Sequence, residues 1–230
     1  MKAYLADSVF FGAVISLAAY EAGLLIRRRF KLAVLNPLLI ATVCVMAVLT
    51  LFKVEYRHYN EGARYISYLL TPATVCLAVP LYQQLMLLRK NLKAVAGGIT
   101  AGVLASLASV FVLAKLFSLT HEQYVTLLPK SITTAIGMGV SEELGGISTI
   151  TVAVIIVTGI LGNVIAESVF KIFRIEEPIA KGLALGTASH AIGTAKAMEL
   201  GEVEGAMSSL AIAVAGLMTV VGASLFANLM

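Results

Sequence analysis

Six apolar stretches of about 20 residues or more dominate the sequence, and each is long enough to cross the hydrocarbon layer of a membrane as a helix. We place these spans at residues 5–26, 32–52, 65–88, 94–117, 147–170 and 206–229. Charged residues make up only 13% of the 230 residues, about half the share found in soluble domains. The chain is therefore predicted to be an all-α, polytopic membrane protein, and a soluble fold is excluded.

Two shorter segments, 127–143 and 182–200, differ in kind from the six spans. They are rich in Gly, Ala, Ser and Thr and contain charged residues, so they are too short or too polar for an ordinary lipid-facing helix. We expect each to enter and leave the membrane on the same side as a re-entrant or broken helix. Within spans two and three we expect kinks at Pro37, Pro72 and Pro80.

Basic residues cluster in the loops that follow spans one, three and five. These clusters hold ten of the 17 Lys and Arg residues: Arg27, Arg28, Arg29, Lys31, Arg89, Lys90, Lys93, Lys171, Arg174 and Lys181. Because loops rich in Lys and Arg remain in the cytoplasm, the pattern predicts a multi-pass protein with both termini outside. Membrane orientation also explains the net charge of +4, so nucleic acid is not an expected partner.

The C-terminal half contains an internal repeat with an offset of 56 residues. Ala-Ile-Gly at 135–137 recurs at 191–193, Glu-Leu-Gly at 143–145 recurs at 199–201, and six of the eleven positions from 135 to 145 are identical. Each unit, about 127–170 and 183–226, is a polar short segment followed by one span, so the second unit is expected to be inverted relative to the first. Inverted repeats with interrupted helices are typical of secondary transporters. We therefore predict a three-span N-terminal scaffold over 1–93 and a core transport domain over 94–230.

Hydroxyl side chains stand at the expected helix starts of both short segments. Such side chains cap helices, and the free N–H groups and partial positive charge of a helix start suit a small anion. The candidate substrate-binding hydroxyls are Ser131, Thr133, Thr134, Thr187, Ser189 and Thr194. Tight helix packing in membranes uses the same small residues, and that alternative remains open.

Charged side chains in and near these segments add three binding candidates. His190 could bind the anion or relay a proton, or it could be a satisfied structural histidine. Lys130 could attract the anion or extend to the membrane interface, and Lys196 is a further candidate cation. Glu167, four residues after Asn163, is either a second proton-coupling candidate or a surface ion-pair partner near Lys171.

The sequence offers no support for catalysis. It contains no metal-ligand cluster, no pairing of a nucleophile with a base and no phosphate loop. We therefore expect no enzyme activity, no metal and no cofactor.

Several motifs resemble the LrgB/CidB family. They are Pro-Lys-Ser-Ile-Thr-Thr at 129–134, Thr-Gly-Ile-Leu-Gly at 158–162 and, most specifically, Gly-Thr-Ala-Ser-His at 186–190. The resemblance is strong over about 90–215 and covers mainly the span layout before that. The chain departs from the family pattern at Ala135 in place of a proline, at Gly137 in place of an alanine, and at Ala166-Glu167 in place of Gly-Pro.

The resemblance implies two functions and a location in the plasma (inner) membrane of a bacterium. One is a carrier for small 2-oxo or 2-hydroxy monocarboxylates such as pyruvate, glycolate or glycerate, with the anion between two opposed helix starts. The alternative is a holin/antiholin-like pore or a regulator of murein hydrolase export and autolysis. The resemblance also implies a small LrgA/CidA-like membrane partner, and a moving transport domain favours a homodimer or higher homo-oligomer.

Overall fold

The computed structural model describes residues 10–30, 35–69, 72, 75–76 and 78–230, and every regular element within these ranges is helical. The chain divides into two compact units, residues 1–76 and 77–230. The predicted start of span one, parts of span three and the basic residue Lys31 lie outside the described residues.

The helices with described bounds in the first unit are α1 (Phe11–Phe30), α2 (Pro37–Phe52) and α3 (Tyr56–Ser67). Glycines allow α1 to approach both neighbours closely. A Cβ atom on Gly12 would collide with the backbone of Tyr59, and one on Gly23 would lie 2.7 Å from the carbonyl oxygen of Pro37. The Ser16 hydroxyl strengthens the α1–α3 contact through a 2.8 Å hydrogen bond with the Tyr59 hydroxyl.

Pro37 begins α2 and does not kink it, so the predicted kink at this residue is wrong. The Asn36 side chain accepts hydrogen bonds from the backbone N–H groups of Leu38 (2.8 Å) and Leu39 (3.4 Å). A proline in the first helical position needs no N–H partner, and its fixed φ suits the helix. Asparagine followed by proline is therefore a helix-start signal here.

The second unit contains eight helices within its described residues. They are α4 (Ala78–Gln83), α5 (Leu85–Lys90), α6 (Leu92–Leu116), α7 (His121–Leu127), α8 (Thr134–Glu143), α9 (Ser148–Ile172), α10 (Pro178–Leu200) and α11 (Glu202–Ala227). α10 packs against α6, α9 and α11. The apolar core lies around α6 and α11, where Ile99, Leu107, Met207 and Ala211 are fully buried.

Among the described residues, three helices are long and apolar enough, by length and composition, to cross a membrane: α6, α9 and α11. They correspond to predicted spans four, five and six. The region predicted as span three is not one continuous helix among the described residues, because α3 ends at Ser67 and a non-helical Gln84 separates α4 from α5. The described residues are thus all-helical, and three of the six predicted spans correspond to helices that are long and apolar enough to cross a membrane.

Helix boundaries in the second unit follow the repeat. Adding 56 to the ends of α8 gives 190 and 199, and α10 is interrupted at Ser189–His190 and ends at Leu200. The same shift moves α9 to 204–228, within two residues of the bounds of α11. Two segments with similar sequence therefore place their helix starts and ends at equivalent positions.

A buried group of hydroxyls joins α7, α8 and α9, and the sequence analysis did not single it out. The Thr151 hydroxyl lies 2.8 Å from the carbonyl oxygen of Thr126 and 2.7 Å from the Ser141 hydroxyl, and the Thr126 hydroxyl accepts a 2.8 Å hydrogen bond from the Ile147 N–H. All three hydroxyl residues are fully or almost fully buried. Because each polar group has a partner, the cluster holds the first repeat unit together.

Candidate functional site

The second repeat unit is interrupted in the middle of α10. Ser189 has φ −132° and ψ 15°, and His190 has φ 41° and ψ −136°, so the backbone leaves the helical conformation for two residues. A positive φ is costly for any residue except glycine, and such strain is concentrated at functional sites. Both residues are almost completely buried, at 1% and 4% exposure. The interruption frees backbone N–H groups at the start of the second half-helix.

The imidazole of His190 is held against α9. Its Nε2 atom lies 2.9 Å from the carbonyl oxygen of Ile155. Since a carbonyl can only accept, Nε2 carries the hydrogen atom. A Cβ atom on Gly159 would lie 2.7 Å from both Cε1 and Nε2 of the ring, so the glycine is what allows the ring to lie there. His190 therefore fixes the interrupted backbone to α9.

The hydroxyls around the interruption are also engaged inside the protein. The Thr194 hydroxyl donates to the His190 carbonyl oxygen (3.1 Å) and pairs with the Ser208 hydroxyl on α11 (2.7 Å). The Thr187 hydroxyl donates to the Leu183 carbonyl oxygen at 2.8 Å. Ser189 packs directly on Gly162, where a Cβ atom would collide with its hydroxyl. Ser189 and Thr194 thus join the break to α9 and α11, whereas the Thr187 hydroxyl bonds within its own half-helix.

The first segment starts its helix without a side-chain cap. Thr133 is the extended residue before α8, and its hydroxyl makes no capping hydrogen bond, so the hydroxyl cap that the sequence allows at this helix start is not formed. Thr133 and Thr134 are both half-buried. A real cap lies upstream at Thr120, whose hydroxyl accepts from the Gln123 N–H while the Gln123 side chain accepts from the Thr120 N–H.

A cavity of about 650 Å³ lies between α6 and the first half of α10, within the usual size range of small-molecule sites. It contains three of the predicted residues, Lys130, Ser131 and Thr187. The other walls are small residues and hydroxyls, including Gly98, Gly102, Ala105, Ser106, Ser109 and Ala184. A second cavity of about 160 Å³ lies between α9 and α10 and shares Ala184 and Ala188 with the first.

The polar end of the larger cavity is a short hydrogen-bonded chain. Lys130 Nζ donates to the Ser131 hydroxyl oxygen at 3.0 Å, and the Ser106 hydroxyl donates to the same oxygen at 3.1 Å. Two accepted hydrogen bonds leave the Ser131 hydrogen atom available to a third group. Lys130 is half-buried and makes no ion pair with any carboxylate of the described residues, while Glu177 contributes an exposed acidic side chain to the lining. This end can offer a cation and a hydroxyl to an anion.

Ser106 and Ser109 are site residues that the sequence analysis missed. A signal for Ser106 was present, because Gly98, Gly102 and Ser106 are spaced four residues apart and therefore share one face of α6. Small residues at this spacing mark the side of a membrane helix where another element approaches. Here that element is α10, since a Cβ atom on Gly102 would lie 2.7 Å from the Thr187 hydroxyl oxygen.

Lys196 and Glu167 form a separate group. Lys196 Nζ lies 2.6 Å from Glu167 Oε1 and 3.2 Å from Glu199 Oε2, and the lysine side chain is only 9% exposed whereas both carboxylates are about half exposed. Of the two interpretations of Glu167, an ion pair is observed, with Lys196 as the partner. Because two carboxylates compensate Lys196 and it does not line the larger cavity, it is not positioned beside Lys130.

The comparisons with known proteins agree on one family. The family model described as the LrgB-like family matches residues 16–229. The chain is similar to the antiholin-like protein LrgB of Bacillus cereus (strain B4264), with 39% identity over 94% of this chain and 95% of the relative. The same values hold for the antiholin-like protein LrgB of Bacillus anthracis (strain A0248). No solved structure matches the chain.

Proposed function

The chain belongs to the LrgB-like family, and on that premise we propose that it is an antiholin-like membrane protein that restrains autolysis. The observation that carries this proposal is the 39% identity, over almost the full length of both chains, to relatives named antiholin-like. The names of these relatives favour this role over that of a carboxylate carrier.

We propose the following membrane arrangement for this role. The chain crosses the plasma membrane of a bacterium six times with both termini outside, and the two polar segments are re-entrant. Residues 1–93 form a scaffold, and 94–230 form the core with its inverted repeats. The three long apolar helices, the basic loops and the matched helix boundaries of the two repeat units support this arrangement. The partners are a small LrgA/CidA-like membrane protein and a second copy of the chain.

A second candidate function is favoured by the cavity between α6 and α10. A half-buried lysine with no carboxylate partner among the described residues attracts an anion, and the Ser131 hydroxyl can donate to a carboxylate. The proposed ligand is a small 2-oxo or 2-hydroxy monocarboxylate such as pyruvate, glycolate or glycerate. In this function Lys130 and Ser131 contact the anion, Ser189, His190 and Thr194 hold the broken helix, and no residue requires a cofactor.

The two functions are compatible. A flux of small carboxylates alters the pH difference and the electrical potential across the membrane, and in this scheme autolysis responds to that change. Under this scheme, the antiholin-like effect needs an intact cavity and does not need a large pore.

Autolysis in cells tests the leading proposal. A bacterial strain that lacks its own LrgB-like protein receives this chain, and detergent-induced lysis is followed by turbidity. We expect slower lysis with the chain than with an empty vector. Equal lysis rates, with the chain present in the membrane fraction, would contradict the antiholin-like role.

Flux through liposomes tests the second candidate. The purified protein is reconstituted, and uptake of labelled pyruvate and glycolate is compared with the escape of a large dye. We expect saturable uptake without dye escape. Lys130→Gln should reduce this uptake at least tenfold, and Lys115→Gln, at the C-terminal end of α6, should leave it unchanged. Escape of carboxylate and dye at similar rates would identify a pore instead.

A further inference from the structure

We propose that the C-terminal end of α9 carries a binding site for the phosphodiester headgroup of an acidic phospholipid, separate from the cavity between α6 and α10. A cavity of about 440 Å³ opens where α9 ends and the chain turns towards α10. Its basic and apolar lining residues are Phe170, Lys171, Arg174, Ile175, Lys181 and Leu200. Glu167 and Glu176 complete the lining.

The cations in this cavity are not neutralised by ion pairs. Lys171, Arg174 and Lys181 form no ion pair with any carboxylate in the part of the chain that the structure describes, although Lys171 interacts electrostatically with Glu167 at longer range. The Glu167 carboxylate is itself bound by Lys196. The charged residues that line the cavity, three cations and two carboxylates, are Lys171, Arg174, Lys181, Glu167 and Glu176. The resulting charge of +1 matches the single negative charge of a phosphodiester.

Arg174 closes α9 in the same left-handed backbone conformation that Lys53 adopts after α2 and Ser118 adopts after α6. Arg174 has φ 53°, in the left-handed region, and it ends α9 by a turn in which the Ile175 N–H donates to the Phe170 carbonyl oxygen at 2.8 Å. Glycine is the usual residue in such a turn because it takes this conformation without steric cost. What supports a role for Arg174 is its place in the cavity lining, because a guanidinium can bind phosphate oxygens through two N–H groups.

The surroundings favour a lipid over a soluble phosphate. Ile172 and Phe173, between Lys171 and Arg174, are 74% and 70% exposed. Ile172 is the last residue of a helix long enough to cross the membrane and Phe173 directly follows it, so both stand at the level where acyl chains meet headgroups. Basic pockets between membrane helices on the cytoplasmic side are a known recognition mode for acidic headgroups, and this loop belongs to the clusters predicted to be cytoplasmic. A free phosphate ion would gain nothing from the two apolar side chains.

Native mass spectrometry of the full chain in detergent tests the proposal. Phosphatidylglycerol and phosphatidylcholine are titrated separately, and the bound lipid is counted. We expect phosphatidylglycerol to bind more tightly, and Lys171→Gln, Arg174→Gly and Lys181→Gln each to weaken its binding about fivefold. The matched control is Lys115→Gln, which removes one positive charge from the last turn of α6 and is expected to leave binding unchanged.

Arg174→Gly separates lost binding from lost folding. Because glycine relieves the left-handed backbone, this variant should unfold at the same detergent concentration as the wild type or at a higher one, while still binding less phosphatidylglycerol. Equal binding of the two lipids, or unchanged phosphatidylglycerol binding in all three variants, would overturn the proposal. Displacement of the lipid by millimolar inorganic phosphate would also overturn it, because the site would then take a soluble anion.

Discussion

Replacing Gly159 by alanine tests whether the contact between α9 and the interrupted α10 is as close as the structure describes. The new Cβ atom would lie 2.7 Å from Cε1 and Nε2 of His190 and 2.9 Å from Cδ1 of Ile192. Distances below 3.0 Å require the imidazole to move. Because Nε2 donates to the Ile155 carbonyl oxygen at 2.9 Å, movement of the ring breaks that hydrogen bond.

The expected cost is the sum of three effects. Overpacking costs about 1 to 3 kcal/mol. Leaving a buried polar group unsatisfied costs about 1 to 3 kcal/mol more. Alanine in place of glycine within a helix stabilises the folded state by about 1 kcal/mol, which offsets part of this cost. The free energy of unfolding should therefore fall by about 1 to 5 kcal/mol.

Reversible unfolding of the purified protein in mixed micelles measures this change. Gly97→Ala in α6 is the matched control, because a Cβ atom there meets nothing within 4 Å, and it should be neutral or stabilising. In a His190→Ala background, Gly159→Ala should lose most of its cost, since the ring it displaces is gone. A Gly159→Ala variant as stable as the Gly97→Ala control would refute the reasoning.

Three further single substitutions and one double variant remove partners of Lys196 and Thr194, two buried polar residues of α10. Glu167→Gln or Glu199→Gln alone should lower the free energy of unfolding by about 1 kcal/mol or less, since each carboxylate is about half exposed. The double variant should cost more than the sum, because it leaves the buried Lys196 without a carboxylate; additivity in the same unfolding assay would contradict this. Ser208→Ala should lower the free energy of unfolding by only about 1 kcal/mol, because Thr194 keeps its hydrogen bond to the His190 carbonyl oxygen. A loss above about 3 kcal/mol would contradict this, because Thr194 would then depend on Ser208 for its position.

The features that could be predicted from the sequence are those written in local patterns. Long apolar runs predict α6, α9 and α11, because a span needs only length and hydrophobicity. The similarity of residues 135–145 to 191–201, with six of eleven positions identical, agrees with the shared boundaries of α8 and the second half of α10.

The features that could not be predicted depend on which elements meet in space. No local signal indicates that the Lys196 ammonium meets Glu167 from α9, 29 positions earlier in the chain. For Ser106, the spacing of small residues marks the face of α6 on which it lies, but no local signal indicates that its hydroxyl meets that of Ser131, 25 positions later in the chain. Asn36 before Pro37 was a local signal for a helix start, but the surrounding apolar run concealed it.

The most direct test of the account measures autolysis in a bacterial strain that lacks its own LrgB-like protein. The strain receives the wild-type chain, the Lys130→Gln variant or the Lys115→Gln variant, each present in the membrane at the same level. The account predicts that the wild type and Lys115→Gln slow lysis alike, whereas Lys130→Gln does not, because the cavity between α6 and α10 has lost its cation. Full protection by Lys130→Gln would show that the cavity plays no part in lysis control. Absence of protection by the wild-type chain would contradict the antiholin-like function itself.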